Sequence, residues 1–323
     1  MHPGHMHPGM KQRRTVLAGL VVLSLALTAC GGGDDTASGG GSGGGGEAKQ
    51  IAIVSPYLSQ QPVTKEVVDD FTAAAEAKGW EVKTVDVNND FARMNTEISG
   101  AASRGVDAIV LGMGDPQQMG PGLKAAQAAD IPVIGLDAGV ADGITANVTS
   151  DNTFLGETAA QAMIDAVDAK KVLMFTFDDF EPVRVRGQAA KSFFEGNDVE
   201  VLDYVRIDAP NGLADAKTKA KDALAKYPAG EIGGIWCAWD QCANGAYQAV
   251  KEAGRDDVKV TGVDGQDFAL VAIEEGGPWV ATVRQDWKGI ADKATEVLDG
   301  VFAGTDPAEQ QNLVPGELVT KDS

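Results

Sequence analysis

From Gln50 onward the chain repeats one pattern: a short apolar run, then a longer stretch with apolar residues at helical spacing. Ile51–Val54, Val82–Val87, Ala108–Leu111 and Val133–Leu136 are such runs, and Val172–Phe177, Val199–Val205, Ile235–Trp239 and Val258–Val263 resume the rhythm. Between them Val63, Val67, Phe71 and Ala74 share one helical face, and Phe91, Met94, Ile98 and Ala101 share another. Segments 121–129, 214–225 and 243–253 are Ala-rich and amphipathic, and Gly79 suits a helix end. An unbroken apolar run reads as a strand buried on both faces, and a 3.6-residue stripe as a helix packed on it. Repeated β-α units imply parallel sheets with helices on both faces, doubly wound by right-handed crossovers. The body has about 270 residues, which is large for one core and favours two lobes.

In such sheets ligands gather beyond the carboxyl ends of the strands. The first of these positions holds Pro56-Tyr57-Leu58-Ser59-Gln60-Gln61, which is neither a Gly-rich dinucleotide turn nor a phosphate-cradling loop. Asp137 follows Val133–Leu136. Asp178, Asp179 and Phe180 follow Phe177, with Arg184 shortly beyond. Asp240 follows Trp239, Asp264 follows Val263, and Gln285 follows Arg284. Any one of these aspartates alone reads as a helix cap or turn former. Taken together, and with Arg184, they point to a polar cleft of bidentate acceptors and donors. Tyr57, Phe177, Phe180 and Trp239 are candidates to stack on an apolar face of a ligand, a core tryptophan being the other reading of Trp239.

The N-terminus carries a second message. Lys11, Arg13 and Arg14 precede an apolar run from Val16 to Leu27, and Thr28-Ala29-Cys30 follows. A basic region, a short apolar region and small residues before a cut site make an export signal. The run is shorter than the roughly 20 apolar residues of a membrane span. Small residues directly before a lone cysteine resemble the bacterial lipobox, which implies cleavage before Cys30 and acylation of that residue. An ordinary secretory signal is the alternative, and Arg13-Arg14 also leaves a twin-arginine route open. Residues 31–46 are nearly all Gly and Ser and cannot bury enough apolar surface to order themselves. They read as a tether spanning roughly 20 Å.

Composition removes several function classes. The formal charge of the chain is −20, and residues 1–29 contribute only basic groups to it, so nucleic acid and anionic lipid are poor partners. His2, His5 and His7 are the only histidines, and all precede Cys30. The processed protein therefore has no Ser-His-Asp or Cys-His chemistry and no His-based metal site. No metal or cofactor is expected. Cys237 and Cys242 lack the two-residue gap of a redox or zinc motif. A disulfide between them and a pair of buried free thiols are both open readings.

Read in order, Ile51-Ala52-Ile53-Val54, the segment Ile131 to Asp137, Ser150-Asp151-Asn152 through Gly156, Arg184-Val185-Arg186-Gly187, Trp239-Asp240, Thr261 to Gly265 and Ala281 to Gln285 resemble the ribose-type periplasmic sugar-binding family. The resemblance covers nearly everything from Gln50 onward. It implies the type I periplasmic binding fold: an N-terminal lobe of 50–149 plus 286–311, and a C-terminal lobe of 150–285 plus 312–323, after a signal peptide 1–29 and a tether 30–49. It implies that Asp137 and Asp264 take sugar hydroxyls, that Arg184 donates to the ligand, that Gln285 lies beside the hinge, and that Tyr57, Gln60 and Gln61 contact ligand from the first loop. Ala138 stands where ribose binders carry Arg, Trp239 where they carry Asn, and Pro62-Val63-Thr64 where they carry paired phenylalanines. These departures point away from ribose itself.

The expected function is that of an extracytoplasmic, lipid-anchored solute-binding protein of an ABC importer. It would be a monomer, taking a monosaccharide or polyol between closing lobes and delivering it to a membrane permease. A sensor component reporting to a chemoreceptor or histidine kinase would use the same pocket. A hydrolase with paired carboxylates, and a transcription regulator of the same fold, are weaker readings; the latter would need a DNA-binding module where this chain has a signal and Gly tether.

Overall fold

The computed structural model describes residues 48–167 and 170–323. The signal segment, the three histidines, Cys30 and most of the tether lie outside the described residues. In chain order the elements are β1 (Gln50–Ser55), α1 (Pro62–Ala77), β2 (Glu81–Asp86), α2 (Phe91–Arg104), β3 (Ala108–Gly112), α3 (Gly120–Ala128), β4 (Val133–Leu136) and β5 (Ala146–Ser150). Then come α4 (Asn152–Ala166), β6 (Lys171–Thr176), α5 (Glu181–Gly196), β7 (Glu200–Arg206), α6 (Gly212–Lys226), β8 (Gly234–Cys237) and α7 (Asp240–Ala253). The chain ends with β9 (Lys259–Asp264), α8 (Asp267–Glu275), β10 (Trp279–Arg284), α9 (Trp287–Phe302), β11 (Gln311–Val314) and β12 (Glu317–Thr320).

Two sheets result. The first runs β2-β1-β3-β4-β5-β11 with every pairing parallel, and the second β7-β6-β8-β9-β10-β12, parallel except for β12. The period-2 geometry of β1 shows why helices cover both faces. Ile51 and Ile53 pack with Val67 and Phe71 of α1, whereas Ala52 and Val54 pack with Met94 and Ile98 of α2. Helix α9 joins α1 over the first sheet, so the chain returns to that lobe after β10. In the second lobe α4 packs with α5, and α6 with α7. The edge strands β2, β7, β11 and β12 are the partly exposed ones. The fold is therefore the expected pair of doubly wound α/β lobes. Strands β5 and β11 stay in the first sheet through Ser150 and Val314.

Capping sorts the strand-end aspartates into two kinds. Asp90, Asp151 and Asp286 each accept the backbone N–H three residues on and start α2, α4 and α9. Asp137 and Asp264 do not cap. They hold positive φ angles of 49° and 130°, sparsely populated for non-glycine residues, and strain of this kind concentrates at functional sites. No helix among the described residues is long and apolar enough to cross a membrane.

Candidate functional site

The loops after β1, β3 and β4 of the first lobe face those after β6, β8 and β9 of the second. Between them lies a cavity of about 60 Å³, counted as space open to the centre of a water molecule. It is small because the lobes touch around it. Gln61 Nε2 donates to the Ala209 carbonyl across the cleft at 2.6 Å. Tyr57 and Phe180 meet edge to face, ring centroids 6.4 Å apart. Glu181 accepts the backbone N–H of Val140; burial raises its pKa, and that bond opposes the shift. A wider groove of about 660 Å³ reaches the cavity at Asp264, Gln285 and Trp287.

The polar side of the cavity is one connected cluster. Thr149 donates to Asp137 at 2.5 Å, and Asn152 Nδ2 donates to Thr149. Arg186 is only 2% exposed; its Nε and Nη2 donate to Asn152 Oδ1 and its Nη1 to the Ala238 carbonyl. Arg186 Nη1 also lies 3.8 Å from Asp264 Oδ1, which accepts from Gln285 Nε2 at 2.8 Å. Burial raises the pKa of Asp137, with Thr149 and Arg186 opposing it. Burial likewise pushes Asp264 up to about 7, with Arg186 and Gln285 opposing. A buried charge needs a partner, and here one guanidinium serves both carboxylates.

Seven of the expected site residues line this cavity: Tyr57, Gln61, Asp137, Phe177, Trp239, Asp264 and Gln285. Trp239 also lies against Gly212, where a Cβ would come within 3.0 Å of the indole. Three do not line it. Gln60 stays in the first loop outside the cavity. Arg184 points away, its Nη1 donating to the Asp178 carbonyl at 2.7 Å. Asp240 is fully buried behind the cavity wall, where it accepts from Thr282 Oγ1 and the Gln266 backbone. Gly262 leaves room for that carboxylate. The cavity arginine is Arg186, and helical spacing could have identified it. Val183, Arg186, Gly187, Ala190 and Phe194 form the buried stripe of α5, and Arg184 is off it. Trp287, two residues after Gln285, and Met113 after β3 were also missed.

Cys237 and Cys242 are separate buried thiols, not a disulfide. Burial raises the pKa of Cys242 far above the ordinary thiol range, with Cys237 beside it adding to the shift. Among the described residues no three His, Cys, Asp or Glu side chains gather to hold a metal.

Residues 51–306 match the family model described as the periplasmic binding protein domain. The chain belongs to that family. Its members are binding proteins, and the family name implies an extracytoplasmic location. The chain is 27% identical over 234 residues to a ribose import binding protein of Bacillus subtilis, covering 71% of this chain and 74% of the relative. It is 26% identical over 319 residues to a xylitol-binding protein of Mycolicibacterium smegmatis, covering 95% and 85%. Among solved structures, an ABC transporter solute-binding protein from Agrobacterium vitis with bound allitol superposes with a TM-score of 0.79. The two are 26% identical, covering 85% of this chain and 96% of that one.

Proposed function

We propose that this protein is the solute-binding component of an ABC importer and captures a monosaccharide or polyol between its two lobes. The observation that carries the reading is the interlobe polar cluster: Asp137 of one lobe lines the same cavity as the Arg186–Asp264 pair of the other, while Gln285 Oε1 is buried and has no partner. Hydroxyl groups supply both the donors such acceptors need and the acceptors the guanidinium needs. The ligand touches both lobes, so it binds the closed form more tightly than the open one and shifts the equilibrium toward closure. The closed form is then what a permease recognises. The relatives that import ribose or bind xylitol, and the allitol complex, support the same ligand class.

The protein acts as a monomer, and Cys30, acylated after signal cleavage, holds it at the membrane through the Gly/Ser tether. Stable anchoring takes more than one acyl chain, which the sulfur and the new amino group of one cysteine can both carry. Native mass spectrometry of gently purified protein, followed by calorimetry with the co-purifying compound, tests the ligand class. A tightly held amino acid, or no response to any sugar or polyol, would sink it. Cys30→Ala should release the protein from membranes; retention after a high-salt wash would remove the anchor.

A further inference from the structure

The hydrogen-bonding capacity of the cavity is concentrated on one side. Of the five N–H groups of Arg186, three are engaged by Asn152 and the Ala238 carbonyl, leaving two. Gln285 is oriented by its bond to Asp264, since turning its amide would set oxygen against carboxylate. Its free Oε1 is therefore an acceptor waiting for a donor. Asp137 and Asp264 add carboxylate oxygens beside it.

The remaining wall is different. Val63, Met113, Phe177, Phe180, Val183 and Trp239 offer carbon, sulfur and aromatic surface. Two of the polar groups beside it are already engaged as donors. Thr64 donates to the Met113 sulfur at 2.9 Å, and the Gln61 amide nitrogen to Ala209. Tyr57 is 5% exposed, and burial, followed by Asp179 and Asp115, raises the pKa of its hydroxyl. A ligand hydroxyl held against the carbon surface of Val63, Val183 and the Phe177 and Phe180 rings gives up water and gains no partner. Such a loss weakens binding by about 5- to 150-fold.

We propose that the ligand is an amphipathic small sugar or polyol. Two or three neighbouring hydroxyls meet Asp137, Arg186, Asp264 and Gln285, and a deoxy, methyl or methoxy end meets the apolar wall. This rests on the sugar-or-polyol reading above and narrows it. The closed cavity admits a single ring or short chain.

Matched pairs measured by titration calorimetry test it: D-ribose with 5-deoxy-D-ribose, D-galactose with D-fucose, L-mannose with L-rhamnose, and chiro-inositol with its mono-O-methyl ether. The tightest binder should be a deoxy or O-methyl member, at least tenfold tighter than its parent. If parents match or exceed their partners in every pair that binds, the apolar wall only stacks on ring faces; the inference is overturned while the sugar-or-polyol reading stands. Binding by no member would overturn both. Val183→Thr puts a hydroxyl into the wall at nearly constant volume, so it should shift the preference toward the parent several-fold. An unchanged ratio in that variant would also overturn the inference.

Discussion

The two lobes bring unlike electrostatics to the cavity. In the second lobe Arg186, Asp264 and Asn152 are linked to one another within the lobe, with Gln285 at its margin. In the first lobe Asp137 has Thr149 as its side-chain donor, and the guanidinium that opposes its rise in pKa comes from across the cleft. One half of the site is therefore assembled before closure, and the other is completed by it. Opening removes the countercharge from Asp137 but leaves the Arg186–Asp264 pair intact.

Removing Arg186 should do the most damage, because both carboxylates depend on it. Arg186→Met should cost roughly 3–5 kcal/mol where buried charges lose their partner, and should weaken binding more than about 100-fold. Arg186→Lys should not restore it, since a lysine cannot reproduce the fork on Asn152. Calorimetry and urea melts read both effects; binding within tenfold of wild type would break the comparison.

Asp264→Asn and Asp137→Asn should each weaken binding by about 10- to 150-fold, as expected for a hydrogen bond to a charged group. They should differ without ligand. Asp264→Asn strips Arg186 of its same-lobe partner and should alter the melting temperature of the empty protein more than Asp137→Asn does. Equal shifts would mean that the lobes are not asymmetric.

The next effect is one of pH. Asp264 rises to about 7 in the closed form, mainly through burial, against an ordinary carboxylate value near 4 when hydrated. Asp240 is raised as well, by burial and then by Asp264. The closed empty form thus holds more protons than the open or unfolded chain across this interval. Its stability should fall as pH rises from about 4 to 7. Glu252 and Asp257, held down at about 2 by hydrogen bonds from Lys217 and Arg255, respond only at lower pH. Small-angle scattering of ligand-free protein should show more compact molecules at pH 5 than at pH 8. That difference should shrink in Asp264→Asn; its persistence there would assign it to other groups.

The smallest effect expected is that of Arg184→Ala. Its guanidinium serves the Asp178 carbonyl outside the cavity, so affinity should change by no more than about twofold. A large loss would return Arg184 to the site.

Much of this molecule was legible in its sequence. The runs from Ile51, Ala108, Val133, Val172 and Ile235 are strands because each is apolar on both faces; β9 is buried as well, although Lys259 and Thr261 interrupt its apolar residues. Strand β5 was not legible, although it is buried throughout. Its Asn147, Thr149 and Ser150 look like loop residues. Asn147 and Thr149 fit because Asn147 bonds Ala138 N and Gln311, and Thr149 bonds Asp137. Asp137, Asp264 and Gln285 were visible as polar residues ending apolar strands. Asp240 looked the same, but it lies behind the cavity wall, bonded to Thr282 and Gln266.

The sequence by itself determined the alternating elements, and with them an α/β chain whose polar strand ends gather at one edge of each sheet. It also determined that no histidine follows residue 7, because that is a matter of composition. Only the tertiary structure decided which of Arg184 and Arg186 enters the cavity, and which carboxylates remain available to a ligand. The reason is geometric. A local pattern reports the face a side chain takes on its own element. Membership of a cleft depends on how elements distant in the chain approach, and on which neighbour reaches each lone pair first.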